Sequence, residues 1–173
     1  MLSMRYFGDP ILRKRAKIVE KVDEETRQIV ADMAEIMKQY RGIGLAAPQV
    51  GLSIRLFISR IEKESEETKI SADNLLVFIN PRLSEASAKE DVMKEGCLSL
   101  PGIHEEVWRP EEITVEALDI HGKLFKMRFS GLQARCIMHE NDHINGTLFI
   151  DRITMRARTH IEHLLRAIKK KYK

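Results

Sequence analysis

An α+β fold is expected, with small antiparallel sheets packed around a central helix and further helices toward the N- and C-terminal ends. Three observations predict it. Amphipathic patterns of helical period lie near both ends of the chain, period-two patterns and a hairpin signal fill the middle, and a third helical segment carrying His-Glu-x-x-His follows the strands.

Taken in order, Asp23 is placed to cap a helix over 23–40, where Ile29, Val30, Met33, Met37 and Tyr40 recur at helical spacing and Arg41-Gly42 supplies the stop. A glycine-containing loop, GIGLAAPQVG, follows at 42–51. SIRLFIS at 53–59 alternates as a strand does, and LLVFIN at 75–80 reads as another that ends before Pro81. The stretch between them, 61–74, has the polar and charged composition of a solvated loop. ITVEALDI, the turn HGK and LFKMRFS predict a hairpin over 113–130. The pattern is helical again from 132 to 145, with Asn145-Gly146 as the stop. A last helix, about 154–171, presents Ile161, Leu164, Leu165 and Ile168 on one face and ends in a basic run.

With 173 residues, 43% of them hydrophobic, the chain is long enough for one domain over 1–173 with its own core and no disulfides. Its apolar runs are too short to cross a bilayer and its start lacks the apolar stretch of a signal peptide, so no membrane partner is expected. The chain is expected to be unexported, in a reducing compartment such as a cytoplasm or an organelle matrix, and there Cys97 and Cys136 remain thiols. The net charge of +3 hides an asymmetry: the last 22 residues carry eight Lys or Arg against Glu162 alone, so the remainder is acidic. An anionic partner would meet the tail.

His139 and His143 stand one helical turn apart, so both imidazoles can reach one ion, and Glu140 sits where its carboxylate can take a proton from a bound water. The ordinary alternative is a polar, solvent-facing helix surface. The third ligand decides the chemistry. A third histidine six residues on, as in one class of zinc proteases, is absent because Phe149 occupies that position. Glu162 is a second candidate, although among arginines and lysines it reads as a surface ion-pairing residue. Cys136 shares the face of the histidine pair, but three ligands from one helix would spread over about 10 Å of rise. Cys97, in the tight segment KEGCLSLPG, is the best candidate. The loop's G-I-G-L-A-A superficially matches a dinucleotide motif but follows a helix rather than a strand, so no nucleotide cofactor is expected.

GIGLAAPQVG at 42–51, EGCLS at 95–99 and HENDH at 139–143 together resemble the three signature motifs of the peptide deformylases, in order and approximate spacing. The resemblance runs from GDPILR near the start to LFID at 148–151. It implies an enzyme that removes the formyl group from N-formylmethionine on nascent polypeptides, releasing formate. It further implies Cys97, His139 and His143 as metal ligands, a metal-held water as the attacking group and Glu140 as general base and then acid. Gln49 and the backbone N–H of Leu98 would face the formyl oxygen, and Gly44 and Glu95 would bind the substrate backbone or order the site. Ile43, Leu132 and Cys136, with the His139 ring, would line the methionine pocket. The implied cofactor is ferrous iron, one per chain, for which zinc, nickel or cobalt can substitute. Arg135 stands where some members have an aliphatic residue, which would alter the pocket edge, and His104 where several place a peptide-binding arginine. The tail matches, by charge, the helix through which some bacterial members dock on the ribosome. Two other readings compete: a zinc peptidase with Glu162 as third ligand, and an RNA-binding protein with a vestigial metal site.

Overall fold

The structure, a computed structural model, describes residues 2–60 and 75–172. Helix α1, Glu24–Gln39, begins where the Asp23 carboxylate accepts the Thr26 N–H at 3.2 Å. Val30, Met33 and Met37 form its buried stripe. Tyr40, expected on that stripe, is instead the C-cap and is exposed, because Arg41 turns the chain through a positive φ of 55° and the Gly42 N–H bonds back to the Met37 carbonyl at 2.8 Å.

Strands β1 (Gly44–Ala46), β2 (Leu56–Arg60) and β3 (Leu75–Ser84) pair antiparallel in that order. The strand expected from residue 53 starts only at Leu56, since Ile54 makes an isolated bridge to Lys17. The strand expected to end before Pro81 runs on to Ser84. Pro81 falls where the register with the next strand shifts, between Ile79 and Arg82, so its missing N–H removes no rung from a regular ladder. Asn80 holds this bend by gripping the Val19 backbone, its Oδ1 accepting and its Nδ2 donating at 2.9 Å. The solvated loop expected at 61–74 lies outside the described residues.

Strands β4 (Glu90–Cys97) and β5 (Leu100–Pro110) form a separate two-stranded sheet that composition did not announce. The expected hairpin is present as β6 (Glu112–Leu118) and β7 (Leu124–Ser130), completing a five-stranded sheet in the order β1-β2-β3-β6-β7. The hairpin turns on Asp119, whose Oδ1 accepts the N–H groups of His121 and Lys123 at 2.8 and 2.9 Å.

Helix α2, Gly131–Ile144, packs on the five-stranded sheet through Ile137 and Ala134 against Phe57, Phe78 and Val115. It is enclosed on all sides: from Ala134 to Ile144 only Asn141 is not fully buried. Helix α3, Met155–Lys171, packs Ile161, Leu165 and Ile168 with Ile103 and Val107 of β5 and with Leu12 of the N-terminal segment. Leu164, expected on the same face, lies beside it and is exposed.

The turn between α2 and α3 is tied to the N-terminal segment by Arg13, whose guanidinium pairs with Asp151, while the same carboxylate accepts the Leu148 N–H at 2.8 Å. Burial opposes ionisation of Asp151, but the Arg13 and Leu148 bonds outweigh it and hold the carboxyl below its ordinary 3.8. Its stabilisation is therefore present above that value and is lost as the pH falls through the lower folded pKa. Because the pair is partly exposed, the expected contribution is under ~1 kcal/mol. Asp151→Asn should flatten this part of the acid limb in unfolding titrations; an unchanged limb would mean the pair contributes nothing.

Candidate active site

Cys97 ends β4, and the Leu98-Ser99 connection to β5 brings its Sγ to 3.3 Å from His143 Nε2 on α2. One donor atom from each of Cys97, His139 and His143 lies within 4.8 Å of the others. A tetrahedral ion with bonds of about 2.0–2.3 Å to nitrogen and sulfur fits donors so spaced. Cys136, on the same helix, points elsewhere, its Sγ 3.4 Å from Ser59 Oγ and 3.6 Å from the Ile43 carbonyl. Glu162 is occupied on α3 by Arg166 at 3.3 Å and Arg158 at 3.9 Å. Phe149, where a third histidine would stand in the alternative motif, instead lies nearly parallel to the His139 ring at 6.0 Å between centroids.

The charge around these donors favours a cation. Burial opposes charge on His139, yet Cys97 and Glu95 more than offset it and hold the ring's pKa well above the ordinary 6.5. Burial and the neighbouring His139 hold His143 neutral. Positive charge at His139 is thus favoured, and an ion at these donors would supply positive charge there in place of the proton.

Glu140 is buried against β1, and its Oε2 has no hydrogen-bond partner among the described residues. Burial pushes its carboxyl up to about 7, the pull of His139 being the main opposing influence. The approach is close because β1 begins with glycine: a Cβ on Gly44 would come within 2.5 Å of Glu140 Oε1 and 2.7 Å of Cys136 Sγ. Gly44→Ala is therefore expected to displace Glu140, lowering stability by about 1–3 kcal/mol and kcat/KM by at least about tenfold. Steady-state kinetics with thermal unfolding tests this, and parental values in both would refute the close fit.

Gln49 is aimed rather than loose. Its Oε1 accepts the Ala46 N–H at 2.8 Å, which turns its Nε2 toward Ser99 Oγ at 3.3 Å and Cys97 Sγ at 3.5 Å. Behind the histidines, His139 Nδ1 donates to Glu95 Oε2 at 3.0 Å, leaving Nε2 to face the ligand position. Both Glu95 oxygens are further held by Arg109, at 2.6 and 2.8 Å, and one also by Arg135 at 2.8 Å. Arg109 then donates to Asp142 at 2.9 Å, and Asp142 accepts from Arg152 at 2.6 Å. Both Glu95 oxygens are thus engaged by Arg109, Arg135 and His139. Arg135, expected to change the pocket edge, is buried in this network and also caps the Asp91 and Val107 carbonyls.

A cavity of about 500 Å³ opens over these groups. Every residue expected in the site except His143 lines it: Gln49, Cys97, Leu98, His139, Glu140 and Glu95, and with them Ile43, Gly44, Leu132 and Cys136. His104 lines it too, paired across the hairpin with Gly96.

The family described as polypeptide deformylase matches residues 1–159. The chain belongs to the peptide deformylase family. It is 46% identical over 154 residues to a peptide deformylase of Clostridium botulinum, covering 89% of this chain and 97% of that protein. It is 44% identical to one of Parasynechococcus marenigrum over 90% of this chain and 75% of the other. Among solved structures, a Plasmodium falciparum peptide deformylase superposes with a TM-score of 0.91 at 36% identity, covering 98% of this chain and 96% of that one. One from Legionella pneumophila gives 0.85 at 39% identity over 97% and 95%. Membership makes the chain a hydrolase that removes N-terminal formyl groups, and it bears out the α+β fold.

Sequence reasoning named Glu95 but missed the residues that hold it and surround the deformylase site. Arg109 follows Ile103 and Val107 at period two, so the alternation of β5 already pointed it inward. Asp142 lies three residues after His139 on the same face of α2, a position shared with the ligands. Tyr6, Tyr40 and Tyr172, which also line the cavity, come from distant segments and gave no local signal.

Proposed function

We propose that Cys97, His139 and His143 hold one divalent cation, ferrous iron in the native state with zinc, nickel or cobalt able to replace it, and that the cavity above binds N-formylmethionyl nascent peptides. The observation that carries this is the placement of Cys97 Sγ against the histidine pair by a hairpin from a different sheet. When bound, the cation acts as a Lewis acid, lowering the pKa of water and polarising the formyl carbonyl.

The chain's own residues do the rest. Glu140, buried beside the histidines with one oxygen unpartnered, takes the proton of the attacking water and returns it to the departing amine. The Gln49 amide, fixed by Ala46, and the Leu98 N–H donate to the formyl oxygen as it gains charge. Ile43, Leu132 and Cys136 receive the methionine side chain, for which a thioether's size and softness suit an apolar wall. Gly44 lets the peptide and Glu140 approach β1, and Glu95 holds His139 in its ligating tautomer. Formate and a free N-terminus leave.

Residues 1–173 are proposed to act as a single catalytic domain in the cytoplasm. The exposed Lys169, Lys170 and Lys171 at the end of α3 support docking of this helix on ribosomal RNA. Arg166→Ala with Lys170→Ala should weaken ribosome binding and reduce its salt dependence; unchanged binding would remove the basis for that contact.

The test of the central proposal is formate release from formyl-Met-Ala-Ser by anaerobically prepared, iron-loaded protein, with Cys97→Ala as control. Turnover by the parent and neither turnover nor tight metal binding by the variant is expected. A Cys97→Ala protein that keeps both would return the third-ligand question to Glu162.

A further inference from the structure

The far wall of the cavity is built from the two ends of the described chain. Tyr6 is held in place from behind, since the Arg5 N–H donates to the Gln49 carbonyl at 2.7 Å and the Phe7 N–H to the Ser99 carbonyl at 2.9 Å. Those two bonds flank Tyr6 and tie it to the segments that carry the site's amide and its thiol. Tyr172, the C-cap of α3, stacks on Tyr6 with ring centroids 3.7 Å apart and planes inclined at 18°. The last turn of α3 can come down this far because residue 8 is glycine: a Cβ there would lie 2.8 Å from Lys169 Cγ. Burial and the neighbouring Tyr40 push the Tyr6 phenol up to about 12, so the ring stays neutral.

Both rings line the cavity, and Tyr172 lies beyond residue 159, where the family match ends. The ionic side chains lining the cavity in exposed positions are Arg41 and Lys94, and Lys171 Nζ sits 5.1 Å from the Tyr172 ring centroid. An approaching basic side chain meets repulsion here, whereas an aromatic one finds ring surface with which to pack.

We propose that Tyr172 is a specificity-determining residue: stacked on Tyr6, it forms a subsite that favours an aromatic side chain, and disfavours a basic one, at one of the two residues following formyl-methionine. This rests on the reading of the cavity as the peptide site. It makes the position of the C-terminal helix part of substrate selection, so removing the tail would alter peptide preference as well as surface charge.

The experiment uses the iron-loaded full chain under anaerobic conditions with formyl-Met-Ala, formyl-Met-Ala-Ser, and the tripeptides carrying Phe or Lys at the second or third position. The parent should show kcat/KM roughly fivefold higher for a Phe peptide than for formyl-Met-Ala-Ser, expressed in KM, with the Lys peptides poorest. Tyr172→Ala should reduce the Phe preference to less than about twofold, Tyr6→Ala should do the same, and Tyr172→Phe should keep it. A merely structural defect would slow all peptides alike and leave the ratio unchanged. No preference in the parent, or a preference that survives Tyr172→Ala, overturns the proposal. Failure of the parent on formyl-Met-Ala itself would overturn the underlying reading of the cavity.

Discussion

Glu140→Gln is expected to lower kcat/KM by about 10²–10⁴-fold while leaving the metal content unchanged. The substitution keeps the size of the side chain and its fit against Gly44, where an added Cβ would lie 2.5 Å from Oε1. What it removes is the carboxylate proposed to take up and return a proton. Metal analysis separates this from ligand loss, because Glu140 is outside the Cys97, His139 and His143 set. The KM should change little, since the methionine wall is formed by other residues. Activity within tenfold of the parent would show that another base serves the reaction.

Arg109→Leu is expected to destabilise the fold by about 3–5 kcal/mol. The guanidinium is 3% exposed and joins Glu95, below the His139 ring, to Asp142 farther along the same helix. Its loss takes two hydrogen bonds from Glu95 and one from Asp142 in the interior, where Arg135 and Arg152 are already committed to one acid each. The contrast with the half-exposed Arg13 pair is instructive, because the same kind of contact near solvent is worth a fraction of this. Denaturant titration measures the effect. A loss below about 1 kcal/mol would mean that the remaining arginines re-pair the acids without strain.

Much of this molecule is legible without coordinates, and where legibility ends has physical reasons. Helices α1 and α3 and the β6–β7 hairpin announce themselves because one face of each is buried and the other is wet. His139, Glu140 and His143 were readable because helical spacing converts directly into a shared direction. Cys97 needed elimination of rivals and the likeness of its segment to a known motif. The β4–β5 sheet stayed hidden because β4 is largely exposed, with Glu95 its one fully buried residue, so it lacks an apolar alternation. Arg109 and Asp142, the partners that link Glu95 onward, stayed hidden for the opposite reason: charged residues read as solvated until something specific pairs them in the interior. Tyr6 and Tyr172 meet only because α3 folds back on the N-terminal segment, a long-range fact that no window of sequence contains.

The origin of the proposed ligands in a hairpin and in a helix packed on the other sheet has a mechanical side. Cys97 rides on the β4–β5 hairpin, whereas His143, 46 residues further on, belongs to the helix packed on the five-stranded sheet. An ion gripping both would act as a removable staple, closing a long loop much as a disulfide does and narrowing the freedom of the unfolded chain. Chelation should then do more than stop turnover: it should leave the Glu95 and Arg109 contacts to hold the hairpin on the helix, and the amides of β4 and β5 should exchange with solvent sooner than in the loaded protein.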